Sequence, residues 1–180
     1  MNQLQTLTPL VVAGLPGAGK TTEISEVRKW IHLDYIDSDQ CWKSLFQNPQ
    51  YTPDESNAVF QYVSESICRC LSSRTSVVTE GVFASYDRIL HLKELARIHQ
   101  ARFLIVGLCC DLGTAFDRMR LRHAGGGNPP VPLDLWKQLA LKLEAWKHVE
   151  PVLWIDSTEI LPPSAADMII SMLAPTKAIH

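Results

Sequence analysis

The sequence predicts an α/β fold, a parallel sheet with helices on both faces, and three observations carry that reading. Apolar runs such as "PLVVA", "SVVT" and "RFLIVGL" are continuous rather than alternating, the pattern of strands covered on both sides. Helical patterns fill the intervals, so strand and helix alternate along the chain. Between the first strand and the first helix lies a glycine-rich bend, "GLPGAGK".

Strands are expected at Leu10–Ala13, Tyr35–Asp37, Ser76–Thr79, Phe103–Leu108 and Val152–Ile155. Thr21–Trp30 follows the bend as the first helix. "TPDE" is a capping box of Thr52 with Glu55, and Pro53 takes the first helical position. That helix runs to about Ser72, with Val59, Val63, Ile67 and Leu71 as its inner stripe. Ser85 can cap "SYDRILHLKELARIH", and Asp111 or Thr114 can cap "AFDRMRLRH". "LDLWKQLALKLEAWKHV" and "PSAADMIISML" supply the last two helices. The break "HAGGGNPPVP", His123–Pro132, cannot continue a helix. It is either a plain surface loop or a lid that closes on substrate, the second suggested by the arginine-rich helix before it.

At 180 residues and 46% hydrophobic, the chain has room for one ordinary core, so a single domain over residues 1–180 is expected. With 17 basic and 19 acidic residues the net charge is −2, and nothing global advertises a nucleic-acid or membrane partner. No apolar stretch reaches about 18 residues, and the N-terminus lacks the positive flank of a signal peptide, which reads as a soluble cytoplasmic protein. The five cysteines are an odd number. Cys68 and Cys70 lie about 200° apart round a helix, and Cys109 and Cys110 face opposite sides of a strand. Buried free thiols are expected rather than zinc ligands or disulfides.

Gly14-Leu15-Pro16-Gly17-Ala18-Gly19-Lys20-Thr21 fits G-x-x-x-x-G-K-[ST], the P-loop, and Thr22 follows it. Glycines let successive backbone N–H groups curl round a phosphate chain, and the next helix points its positive end at the same anion. Lys20 would reach the β- and γ-phosphates of ATP, and the Thr21 hydroxyl would bind Mg²⁺. The plainer alternative is a glycine-rich turn without nucleotide. No Asn-Lys-x-Asp guanine reader and no "LSGGQ" are present, so neither a GTPase nor an ABC protein is indicated. The second strand instead ends in paired acids, "YIDSDQCW". A phosphotransferase needs a carboxylate near the γ-phosphate to orient and deprotonate an acceptor hydroxyl. In continued extended conformation Asp37 and Asp39 would face one side. The plainer alternative is an Asp N-cap followed by a solvated acid.

"GLPGAGKTT", "IDSDQCW", "VVTEG" and the arginine helix together resemble the ATP-binding small kinases related to zeta toxins and polynucleotide kinases. Chloramphenicol phosphotransferase and gluconate kinase belong to the same broad group. The resemblance in motif order spans Val11 to about Asp156. It gives Asp39 the catalytic role and leaves Asp37 to support it or the metal. Departures are plain: Trp42 replaces a basic residue, "EGV" at Glu80–Val82 replaces "EGT", and Arg88 comes later than the family's arginine. Hence the nucleotide-sugar substrate of the toxins does not carry over. Glu80 closes the third strand and could hold Mg²⁺ through water or bind the acceptor. In "FDRMRLRH", Arg118 and Arg122 are four apart and share a helix face, whereas Arg120 points elsewhere. Arginines at a phosphoryl transition state can speed transfer by about 10³–10⁵. By resemblance, one lies against the adenine and the other near the phosphates, with the backbone of Asp156–Thr158 beside the base. Trp136, Trp146 and Trp154 are expected in core or lid-hinge packing rather than as a base platform.

The expected whole is a three-layer P-loop fold with a five-stranded parallel sheet, order 2-3-1-4-5, and a short lid at about 118–135. It would use ATP and Mg²⁺ to phosphorylate a hydroxyl of a small molecule. A nucleotide or nucleic-acid 5′-hydroxyl kinase is the rival enzyme, without a basic stripe to support a polynucleotide. A nucleotide-binding switch or slow NTPase without an acceptor is the rival from another class. The acceptor pocket would draw on Asp39–Tyr51, the "TPDE" helix and the region after Glu80.

Overall fold

A computed structural model describes residues 4, 6–47, 50, 52–126, 130–146 and 153–174. In chain order the elements are β1 (Pro9–Gly14), α1 (Lys20–Arg28), β2 (Asp34–Asp37), α2 (Ser38–Leu45), α3 (Pro53–Ser72) and β3 (Val77–Gly81). There follow α4 (Tyr86–Ile98), β4 (Leu104–Cys109), α5 (Leu112–Ala124), α6 (Leu133–Trp146), β5 (Leu153–Asp156) and α7 (Pro162–Leu173). The five strands form one sheet in the order β2-β3-β1-β4-β5, and every pairing is parallel, as the sequence predicts.

The central strand explains the continuous apolar run. β1 is paired on both edges, Val12 opposite Glu80 and Val106, and it is buried along its whole length. Its alternate side chains feed two cores. Leu10 and Val12 pack with Ile24 and Val27 of α1 and Ile169 and Leu173 of α7. Val11 and Ala13 pack with Val59, Val63, Ile67 and Leu71 of α3, Ile89 and Leu92 of α4, and Leu143 and Trp146 of α6. The inner stripe expected for α3 is therefore the buried one, and its capping box is complete, Thr52 Oγ1 accepting from the Glu55 backbone and Glu55 from Thr52.

Three expectations need correction. The chain after β2 does not continue extended: α2 starts at once, because Asp37 caps it. Ser85 stands at the N-cap position of α4 but makes no side-chain cap bond. All five cysteines are free, yet only Cys41 is buried. Cys70 stays half-buried on α3 with its thiol donating to Asp34 Oδ2 at 3.6 Å, and Cys109 and Cys110, also half-buried, lie at the carboxyl end of β4. Val152 of the expected last strand, the end of the "LDLWKQLALKLEAWKHV" helix from Lys147, and Tyr51, Gly127, Asn128 and Pro129 lie outside the described residues. Among the described residues no helix is long and apolar enough to cross a membrane.

Candidate active site

The bend between β1 and α1 is carried by two glycines in left-handed conformation, Gly17 at φ 88 and Gly19 at φ 89. At Gly17 a side chain is excluded twice over, since a Cβ there would stand 2.4 Å from the Ala115 carbonyl of α5. Lys20 opens α1 and folds back over the loop, its Nζ donating to the carbonyls of Gly14 at 2.9 Å and Leu15 at 3.1 Å. Burial lowers the Lys20 pKa, the charges of Glu80 and Asp39 raise it, and Arg122 lowers it again. Glu80, Asp39 and Arg122 thus lie in the field of one ammonium, although they come from three different elements.

Glu80, at the carboxyl end of β3, is buried. It accepts from Thr21 Oγ1 at 2.9 Å and 3.1 Å through its two oxygens, and from the Tyr35 hydroxyl. Burial, then the bond to Glu80, pushes the Tyr35 pKa up, so Tyr35 remains a donor. Tyr35 was not among the expected site residues. The period of two along β2 could have found it: it shares a sheet face with Asp37, and Asp37 is register partner of Glu80.

The paired acids do not stand side by side on an extended chain. Asp37 Oδ1 accepts from the backbone N–H of Asp39 at 2.8 Å and of Gln40 at 3.3 Å, which is N-cap geometry. That satisfies two N–H groups at the helix start, and it places Asp39 in the exposed first turn of α2. For Asp37, then, the plainer alternative is the geometry found.

α5 arranges its arginines as the four-residue spacing predicts. Arg118 donates to the Gly17 carbonyl at 3.3 Å, to Ser157 Oγ at 2.8 Å and to the Ser157 carbonyl at 2.7 Å. Ser157 Oγ in turn donates to the Ala18 carbonyl at 2.9 Å, so the loop after β5 is tied to the glycine-rich bend. Arg122, one turn on, is exposed and its charge acts on Lys20, while Arg120 turns away toward Asp117 at 3.4 Å. Trp136 also reaches the bend. Its indole N–H donates to the Pro16 carbonyl at 3.1 Å, and its ring leans on Phe116. Trp146 is buried and donates to the Phe83 carbonyl at 2.9 Å, with Trp154 against it, in keeping with packing roles.

An AAA domain family matches residues 10–145. The chain belongs to that family. No curated protein matches its sequence. Among solved structures, this AAA domain protein is similar to a sugar kinase from Janibacter sp. HTCC2649 (TM-score 0.71, 16% identity, 94% of this chain and 99% of that one). It is similar as well to a gluconokinase from Sinorhizobium meliloti 1021 (TM-score 0.70, 18% identity, 96% and 95%). A third is the APS kinase of Mycobacterium tuberculosis in complex with AMPPNP and APS (TM-score 0.63, 14% identity, 93% and 98%). The AAA domain protein therefore has a P-loop kinase-like fold, with small kinases as its structural neighbours.

The donor chemistry of the AAA domain site fits a magnesium nucleotide. Thr21 and Glu80 present hard oxygen ligands to one another, and among the described residues no cluster of three His, Cys, Asp or Glu could hold a metal by itself. Mg²⁺ bound through one or two protein oxygens and the phosphates of its nucleotide needs no more than this. Among the described residues the half-buried Lys20 ammonium donates to carbonyls alone, and a phosphate chain would give it an anionic acceptor.

Beneath the bend lies Glu23, 1% exposed, with Oε2 buried and unpaired. Burial, then the neighbouring charge of Glu26, raises its pKa from about 4.5 to about 7, against an opposing pull from Arg118. The folded protein holds this proton more tightly than the unfolded chain, so stability contributed at low pH is lost as pH rises between those two values. Glu23→Gln, which stays neutral, should melt above the wild type at about pH 8 and level with it at about pH 4. Thermal unfolding at the two pH values checks it, and equal melting at both would remove Glu23 from this role.

Proposed function

We propose that the protein is an ATP-dependent kinase that transfers the γ-phosphoryl group to a hydroxyl of a small molecule. The observation that carries the reading is the P-loop geometry at the carboxyl end of the sheet: Gly17 and Gly19 left-handed, Lys20 folded onto the carbonyls of Gly14 and Leu15, and Thr21 bonded to Glu80. In this reading the loop from Gly14 to Thr22 cradles the phosphates with its backbone N–H groups. Lys20 and Arg122 stabilise negative charge on the transferring oxygens, and Arg118, fixed by Gly17 and Ser157, frames the nucleotide end of the site. Asp39 takes the proton of the acceptor hydroxyl. The hydroxyl oxygen forms its bond to the γ-phosphorus as the bond to the bridging oxygen breaks, and that oxygen leaves with the electron pair as part of ADP. Asp37 supports Asp39 through the cap that holds its backbone. Thr21 and Glu80 would hold Mg²⁺, which when bound offsets phosphate charge. Residues of about 118–135 would form the lid.

A screen of hydroxylated metabolites for ATP consumption tests the reading. ADP release that depends on one acceptor class is expected. Turnover at the same rate with and without every acceptor would instead favour a slow NTPase.

A further inference from the structure

Arg88 stands in the first turn of α4, just after the segment that carries Glu80. Its Nη1 donates to Ser56 Oγ at 3.1 Å and its Nη2 to Asn57 Oδ1 at 2.9 Å, both near the start of α3. The guanidinium carbon lies 4.9 Å from the centroid of the Phe60 ring. The side chain is half-buried, and burial lowers its pKa, with no carboxylate among the described residues offsetting that shift. A cation withdrawn from water is costly unless an anion compensates it. Among the described residues its hydrogen-bond partners are neutral, and they engage two of the about five N–H donors on the guanidinium.

The topology puts this cation on the working edge of the sheet. α4 leaves the carboxyl end of β3, and α3 leads back to the start of β3, so the first turns of both helices lie at the end that carries Glu80. This is the side of β2 and β3, across β1 from α5 and its arginines. Two segments from which an acceptor pocket must be built are thus tied together by one guanidinium.

We propose that Arg88 anchors an oxyanion of the acceptor, so that the hydroxylated substrate carries a carboxylate, phosphate or sulfate group. The inference rests on the kinase reading for the meaning of "acceptor". The planar fork of arginine matches two oxygens of such a group, and Ser56, Asn57 and Phe60 hold that fork in one orientation.

The test begins with protein saturated with ADP and Mg²⁺, so that the P-loop is filled, and titrated with inorganic sulfate by calorimetry. Wild type should bind one sulfate, and Arg88→Gln should bind it at least about 10-fold more weakly, the loss typical of one charge-assisted hydrogen-bonded pair. Equal affinity in both proteins, or no sulfate site in wild type, overturns the proposal. A kinetic arm uses acceptors paired so that they differ only in an anionic group, such as an aldonate and its alditol or a sugar phosphate and its sugar. Wild type should prefer the anionic member, and Arg88→Gln should raise KM for that member alone. If the variant does not fold, wild-type selectivity decides, and equal use of both members overturns the proposal. Phosphorylation of neutral acceptors by both proteins alike sinks the anion subsite and leaves the kinase reading standing. Failure of wild type to bind ATP sinks the kinase reading, whatever sulfate does at Arg88.

Discussion

Lys20→Ala should reduce phosphoryl transfer by at least about 10²–10³-fold, the range for removing one donor aimed at developing charge. Nucleotide affinity should fall with it. The ammonium is folded onto the carbonyls of Gly14 and Leu15 and lies in the field of Glu80 and Asp39. Removing it leaves those two carboxylates facing the phosphates with less positive charge to balance them, so both ground state and transition state lose an interaction. Calorimetry with a non-hydrolysable ATP analogue and Mg²⁺ reads the first effect, and single-turnover rates read the second. Unchanged binding and unchanged turnover would reduce the glycine-rich bend to a turn.

Asp39→Asn should behave differently. Asparagine keeps the size and can still accept a hydrogen bond, but it cannot take a proton. Transfer should fall by about 10²–10⁴-fold, the usual contribution of a general base, with ATP and Mg²⁺ bound nearly as in wild type. Asp37→Ala probes the cap instead: Oδ1 accepts from the N–H groups of Asp39 and Gln40, so its loss should loosen the start of α2. If Asp39→Asn transfers phosphate at the wild-type rate while Glu80→Gln is dead, the base has been assigned to the wrong carboxylate.

How much of this was legible depended on how far apart in sequence the interacting residues lie. The P-loop is contiguous, and its flanking strand is paired on both edges, so motif and apolar run agree. The α3 stripe follows from a pattern of the same local kind, whereas the sheet order came with the P-loop fold that the motif and the family resemblance imply. α2 escaped because it is only eight residues long, and its apolar side, Cys41, Trp42 and Leu45, is too short to establish a helical period directly after a strand. Its signal was the aspartate at its start, which fits an N-cap as readily as a strand end. The period of two puts Tyr35 on the face of Asp37 but does not name its partner Glu80, 45 residues on, and nothing local pairs Ser157 with Ala18 across 139. Arg88 could be seen in the sequence only as an arginine arriving late. Its neutral partners on α3, 31 and 32 residues earlier, emerge only once α3 and α4 are packed together.

The central claim is that the γ-phosphoryl group of ATP ends on a hydroxyl. It is tested most directly by incubating the protein with a hydroxylated metabolite mixture, Mg²⁺ and ATP labelled in the γ-phosphate, then following the label by mass spectrometry. Wild type should form one labelled phosphoester, absent with Lys20→Ala. Label found only in inorganic phosphate, at a rate indifferent to every acceptor offered, would contradict that claim.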